Sequence, residues 1–173
     1  MVEQVHSREQ SVPTLFQVLE QHGCPLPPQE TVIVRHKDHR YNVPSLMRRG
    51  LFHYYQAYQS RPRFRRYRYV LAFVGEDAGL ARLIGLYAVH GEVAAASIQL
   101  PAGCPPDWPS ENGFFYHLVK LDDLEPLRGR LVIDWGPGKL AWVQRLRDRQ
   151  VVAIEDSPWP HSGPATLLRP HEP

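Results

Sequence analysis

The chain has 173 residues, of which 43% are hydrophobic, and its formal net charge at pH 7 is +2. This length favours one domain with a hydrophobic core. No run approaches the length of a membrane span, and the first ten residues lack the apolar core of a signal peptide, so we expect a cytoplasmic protein. Cys24 and Cys104 lie in separate proline-rich turns without CxxC spacing, which indicates free thiols rather than a zinc site or a disulfide framework.

Seventeen prolines mark the loops and divide the chain. Residues 1–30 are predicted to hold a first helix and a proline-rich lead-in. Residues 31–155 are predicted to form a barrel domain. Residues 156–173 have no periodic pattern and are predicted to be a proline-rich tail or linker.

The elements follow from capping signals, apolar runs and turn residues. Thr14 followed by Gln17 indicates a capping box for a helix within residues 11–22. The remaining predictions, in chain order, are a strand at 31–35, two helices at 45–50 and 51–60, an antiparallel hairpin of strands 67–74 and 82–89 with a bulge at Gly85, strands at 113–120 and 131–136, a short helix at 140–147 and a last strand at 151–154. This order predicts an α+β fold, a small and mostly antiparallel β-barrel with flanking short helices.

Charge is distributed very unevenly along the chain. Residues 31–68, called the basic stretch below, contain ten Lys or Arg and one acid, for a net charge of +9, which leaves about −7 on the rest. Such asymmetry suits a surface that displaces counterions from phosphates. The side chains predicted to contact a nucleic-acid backbone are Arg35, Lys37, Arg40, Arg48, Arg49, Arg61, Arg63, Arg65 and Arg66.

Aromatic side chains lie between these charges. Tyr54, Tyr58 and Tyr67 are examples, and such rings can stack on an unpaired base. The alternative is that part of this set is core, because Phe52, Tyr55 and Tyr58 keep helical spacing. The coincidence of charge and aromatic rings favours nucleic-acid binding.

The segment after the first strand carries His36, Asp38 and His39, the one cluster that suggests a metal or acid-base site. No third ligand follows at suitable spacing, and the positive surroundings oppose a bound cation. We therefore predict no metal and no cofactor, and we expect His36, His39 and Arg40 to contact phosphates.

Five segments together resemble a known family. VIVRHKDHR, YYQAYQS, YVLAFVGEDAGLARLIGLYAV, FFYHLVKLDDLEPLRGRLVIDWG and AWVQRL, spread over residues 31–155, resemble the N-terminal accessory domain of bacterial proteins that carry a GIY-YIG nuclease. In general layout the chain is also similar to PUA-like barrels such as the EVE and SRA modules, which read modified bases. Likeness of architecture alone does not establish function.

The resemblance implies a DNA-binding reader in a restriction or defence setting, in which a modified base is flipped into an aromatic pocket. The pocket residues it suggests are Tyr54, Tyr58, Tyr116, Asp134 and Trp135, with Phe115, Trp142 and Gln56 as further candidates. Its expected partners are nucleic acid, with DNA favoured, and a nuclease domain or subunit; no membrane is expected.

The chain departs from the family in one respect. The tripeptide Gly85-Leu86-Tyr87 lies inside a predicted strand, and no second half of a GIY-YIG module, with its Arg helix and metal-binding Glu, can be traced. We therefore expect a binding domain rather than an enzyme. Two alternatives stay open: a metal-dependent nuclease or nuclease subunit using Asp122, Asp123 and Asp134, and a protein-interaction module whose tyrosines face a partner.

Overall fold

The computed structural model describes residues 11–37, 43–50, 54–56, 66–99, 102, 114–136 and 143–160. They form an α+β fold in which a curled, mostly antiparallel sheet makes a half-barrel and carries a few short helices. The strands are β1 (Thr31–Lys37), β2 (Tyr54–Gln56), β3 (Tyr69–Gly75), β4 (Leu80–Ala94), β5 (Phe114–Leu121), β6 (Leu131–Asp134), β7 (Val143–Arg145) and β8 (Val151–Ile154). The helices are α1 (Leu15–Gln21) and α2 (Val43–Arg48), and single 3-10 turns cover Asp77–Gly79, Ala95–Ser97 and Glu125–Leu127.

The sheet is built around the long strand β4. The strand order is β2-β5-β4-β3-β1-β7, and β6 pairs with both β4 and β8. One edge of β4 is shared, because β6 pairs with Leu80–Arg82 and β5 pairs further along, from Leu86 to Ala94. The pair β1–β3 is parallel, and the chain between these two strands includes α2 and β2. Parallel neighbours require such a crossover.

Strand β3 is apolar along its buried length because both of its faces are covered. On β3, Leu71 and Phe73 pack into one hydrophobic cluster, which also holds Leu15, Val18 and Leu19 of α1. The alternate residues Val70, Ala72 and Val74 pack into a second cluster, which holds Leu46 and Met47 of α2. A strand with two buried faces reads as a continuous apolar run rather than an alternating one, and that is the pattern of YVLAFV.

Several predicted elements are confirmed. Thr14 caps α1, and its capping box with Gln17 is complete. The hairpin of β3 and β4 is antiparallel, and its register shifts where Ala72 pairs with Gly85 and Phe73 with Leu83, which leaves Ile84 as the bulged residue. A Cβ at Gly85 would lie 3.3 Å from the ring of Tyr87, so glycine also gives that ring its space.

Two helix predictions are wrong in the described residues. The segment 51–60 contains a strand at Tyr54–Gln56, which pairs with Phe115–His117 of β5. The segment 140–147 contains a strand at Val143–Arg145, which pairs with Val32–Val34 of β1. In both, hydrogen bonds to a strand distant in sequence override a helical spacing of apolar residues.

A buried ionic network ties the end of β8 to the start of β4. Arg82 is 3% exposed and donates to Glu76, to Glu155 and to the carbonyl oxygen of Gly129. The Nη1 atom lies 2.7 Å from Glu155 Oε2 and 3.0 Å from the Gly129 oxygen. The network thereby joins three separate segments of the chain.

The start of the predicted tail packs on the domain. The backbone N–H of Trp159 donates to Gly129 O at 2.9 Å, and its half-buried ring packs against the second cluster. The Arg48 guanidinium lies 4.7 Å from the centroid of that ring. The described part of the chain is therefore packed on the domain as far as Trp159. Within that part, no helix is long and apolar enough to cross a membrane.

Candidate nucleic-acid interface

Three arginines of the basic stretch point to solvent. Arg49 follows α2, and Arg66 and Arg68 precede β3; all three side chains are exposed. Arg66 lies over the ring of Tyr67 at 5.7 Å and Arg68 over that of Tyr69 at 5.6 Å, each measured to the ring centroid. Arg68 also pairs with Glu30 at 3.3 Å, but both side chains are exposed, so the pair adds little stability and its arginine is accessible to a phosphate.

Arg68 follows the arginine-rich segment 57–65 and lies beside β4. Its carbonyl oxygen accepts from Val89 N at 2.9 Å, and Val89 pairs with Leu118 of β5. On the other side of β5, Tyr54 pairs with His117. The chain therefore enters segment 57–65 from β2 and leaves it at Arg66, just before β3, and two strands, β5 and β4, lie between β2 and β3 in the sheet.

An imidazole pair lies beside this entry point. The rings of His90 and His117 are 6.0 Å apart, centroid to centroid, with an edge-to-face angle of 74°. His90 is exposed and His117 is half-buried. The exposed surface here thus combines arginines with flat rings. Arginines can contact the phosphates of a single strand, and flat rings can stack on its unpaired bases.

Two other arginines of the basic stretch face inwards. Arg35 is 8% exposed, and its guanidinium lies 5.4 Å from the centroid of the Trp135 ring. Burial lowers the pKa of Arg35, although a guanidinium keeps its charge in proteins. Arg48 is half-buried against Trp159. In this conformation neither presents its guanidinium as an open phosphate contact, unlike the exposed Arg49 and Arg66.

Five of the residues predicted to contact a nucleic-acid backbone have side chains outside the described part of the structure. Lys37 ends β1, with only its backbone described. The others lie outside the described residues: Arg40, Arg61, Arg63 and Arg65.

Among the described residues, the two predicted pocket rings Trp135 and Tyr116 do not come together. Trp135 is fully buried and packs on Phe73, with ring centroids 6.0 Å apart. Tyr116 is 1% exposed and belongs to the other hydrophobic cluster. Because Phe73 and the second cluster lie on opposite faces of β3, the structure separates these two rings instead of placing them in one pocket.

Asp134, Tyr54 and Tyr58 complete the predicted pocket set. Asp134 is exposed at the end of β6, where its Oδ1 accepts from Gly136 N at 2.8 Å. Tyr54 is described by its backbone in β2, and Tyr58 lies outside the described residues. Asp134 pairs with Leu80, whereas Tyr54 pairs with His117 on the β5 side of the sheet. The acid and the tyrosine therefore mark different ends of the half-barrel.

Arg149 contacts Trp135 and was not indicated by the sequence. Arg149 is half-buried, its guanidinium lies 5.3 Å from the Trp135 centroid, and its Nη1 donates to Trp135 O at 2.9 Å. Its Nη2 donates to Gln144 Oε1. Burial lowers the pKa of Arg149, nearby Arg147 lowers it further, and Asp134 opposes both effects. Arg149 lies far outside the basic stretch, so no charge pattern indicated it.

The acids of the nuclease alternative are also apart. Asp122 follows β5, whose last residue pairs with Leu86, while Asp134 pairs with Leu80, six residues earlier on β4. At about 3.3 Å per residue this separation is roughly 20 Å. Asp122 instead pairs with Lys120 at 2.8 Å, and this contact lowers the pKa of its carboxyl group. Among the described residues, no group of three or more His, Cys, Asp or Glu could hold a metal ion.

Comparisons with protein families, with curated proteins and with solved structures found no match for this chain.

Proposed function

We propose that this chain is a nucleic-acid-binding domain, with DNA as the favoured ligand. The observation that supports this most is the concentration of +9 charge in residues 31–68, with Arg49, Arg66 and Arg68 exposed on the described surface. Arginines clustered in this way release condensed counterions from phosphates, which drives sequence-independent binding. The neighbouring Tyr67 and Tyr69 supply flat faces beside the charges.

We further propose that the domain is PUA-like and reads a modified base. The curled antiparallel sheet supports this assignment, because PUA-like readers are small barrels. The resemblance to the accessory domain of GIY-YIG nucleases supports a restriction or defence setting and a nuclease domain or subunit as partner. A flipped base loses a few kcal/mol of stacking, which aromatic rings beside the basic surface would replace.

Tyr54 and Tyr58 are the favoured walls for such a base. Tyr54 lies shortly before the arginine-rich segment 57–65 and Tyr58 lies within it, and Tyr54 pairs with His117 in the sheet. Trp135 and Tyr116 are 0% and 1% exposed, so each would have to leave the core to stack on a base. Deleting a core aromatic costs about 3–5 kcal/mol, and a base contact would have to offset a similar amount.

The test is fluorescence-anisotropy binding to matched duplexes that carry cytosine, 5-methylcytosine or 5-hydroxymethylcytosine, over a range of salt concentrations. The variant Arg66→Gln with Arg68→Gln removes two exposed guanidinium groups. Its matched control is Arg145→Gln with Arg147→Gln, two exposed arginines outside the basic stretch, on and after the edge strand β7. We expect the first variant to reduce the salt slope by about 2 and the control to leave it unchanged.

Base reading has its own variant, Tyr58→Ala, which should remove a preference for one modified duplex while leaving the salt slope in place. Absence of any binding at low salt would refute the proposal. Association with a protein partner that is insensitive to salt would then favour the interaction module, and chelator-sensitive cleavage of DNA would favour the nuclease.

A further inference from the structure

Around Trp135 the interior holds hydrogen-bond donors without acceptors. Arg35 is 8% exposed, and within the described part of the chain its guanidinium has a ring contact with Trp135 but neither a hydrogen bond nor an ion pair. Trp135 Nε1 and Arg149 Nε are both buried, and neither has a hydrogen-bond partner among the described residues. Two guanidinium groups therefore lie against one indole ring whose own N–H has no partner among the described residues.

The same fold shows how it satisfies a buried guanidinium elsewhere. Arg82 is 3% exposed and is neutralised by two carboxylates, Glu76 and Glu155. No carboxylate pairs with Arg35 or Arg149 in this way within the described ranges. Buried charges in proteins are normally paired or bound to a ligand, because an unpaired one loses its hydration without compensation.

We propose that Arg35, Arg149 and Trp135 form a binding site for one small oxyanion, a phosphate group or an anion of the same size and shape. Guanidinium groups bind phosphate through charge-assisted and often bidentate hydrogen bonds, and an indole N–H adds a neutral donor. Half-buried Arg149 leaves the cluster a route to solvent. This site does not depend on the nucleic-acid function proposed above.

The test measures phosphate binding to the full chain. Melting temperature and equilibrium dialysis are recorded in sodium phosphate and in sodium chloride of matched ionic strength. We expect phosphate to raise the melting temperature saturably, with one phosphate bound per chain. Arg35→Met and Arg149→Gln should each weaken phosphate binding roughly tenfold to a hundredfold, since each removes charge-assisted hydrogen bonds. The exposed control Arg147→Gln should change binding by less than about threefold.

Two results would overturn the site: a stabilisation by phosphate no larger than that by matched chloride, or undiminished binding in Arg149→Gln. The second variant keeps the test decisive if Arg35→Met does not fold, because Arg149 is half-buried.

Competition identifies the source of the oxyanion. A short oligonucleotide with a 5′-phosphate that displaces inorganic phosphate at least about tenfold better than its 5′-hydroxyl counterpart would assign the site to a nucleic-acid end. If neither oligonucleotide displaces the bound inorganic phosphate, the site is assigned to a small free anion. Phosphate binding should survive Arg66→Gln with Arg68→Gln, so failure of the outer surface and failure of this site are distinguishable.

Discussion

Replacing Arg82 by methionine tests the ionic network that joins β4, β8 and the turn at Gly129. The guanidinium makes five hydrogen bonds there, two to each carboxylate and one to Gly129 O. Methionine fills a similar volume but leaves Glu76 and Glu155 without a counter-charge in positions where they are only 27% and 30% exposed.

Breaking one member of a buried ion pair costs about 3–5 kcal/mol. Partial hydration of the two carboxylates reduces this, so we expect Arg82→Met to lower the free energy of unfolding by about 2–4 kcal/mol. For a domain of this size the corresponding fall in melting temperature is roughly 5–15 °C. Urea unfolding with linear extrapolation measures the change, provided that the slope m is the same in both proteins.

Two further proteins isolate the cause. Arg145→Met replaces an exposed arginine and should cost under about 0.5 kcal/mol. The triple variant Arg82→Met, Glu76→Gln, Glu155→Gln also removes the two carboxylate charges that Arg82→Met leaves unpaired. It should therefore recover part of the lost free energy of unfolding. A cost below about 1 kcal/mol for Arg82→Met, or a triple variant no more stable than the single one, would refute this reasoning.

Two other substitutions address the tail contact and pH. Gly129→Ala should lower the free energy of unfolding by about 1–3 kcal/mol, because Gly129 has φ +70° and a Cβ would lie 2.5 Å from the Trp159 ring. The control is Gly23→Ala, because Gly23 has a similar φ of +67° but nothing within 4 Å of the added Cβ. Equal losses of stability for the two variants in urea unfolding would disprove the ring contact. Burial lowers the pKa of His36 from 6.5 to about 4, so the unfolded chain binds more protons between these values, and the free energy of unfolding should fall by at most about 3 kcal/mol as pH drops from 6.5 to 4. His36→Gln should flatten that part of the pH curve, and parallel curves for the two proteins would contradict the assignment.

The central sheet was predictable because its signals are local. Apolar runs at β1 and β3, and the turn between β3 and β4, indicate strands from a few neighbouring residues, and the capping box at Thr14 indicates α1. The strands β2 and β7 were not predictable in this way. Each has three residues, and each is defined by hydrogen bonds to a strand far away in sequence, β5 for one and β1 for the other.

The candidate site also combines a feature with a local sequence signal and features that depend on distant contacts. The excess of charge in residues 31–68 is a property of composition and is visible in the sequence. The direction of each side chain depends on the strand it belongs to. Arg35 shares its face of β1 with Ile33, which packs in the first hydrophobic cluster, so alternation along the strand turns this arginine inwards. The pairing of Arg149 with Trp135 joins two segments by tertiary packing and left no sequence signal.

The inward arginines set a limit on the proposed interaction with DNA. Of the ten basic residues in the stretch, Arg35 and Arg48 stack on Trp135 and Trp159, which leaves eight for the phosphates along the DNA backbone. At about 0.9 counterions released per phosphate contact, the slope of log K against log salt from this stretch should be no steeper than about −7. If the slope is steeper than this limit and becomes shallower by about 1 in Arg48→Gln, Arg48 leaves Trp159 to bind DNA. The division into inward and outward arginines would then be wrong. A slope within the limit that is unchanged in Arg48→Gln is the result expected if the fold keeps this arginine for its own packing.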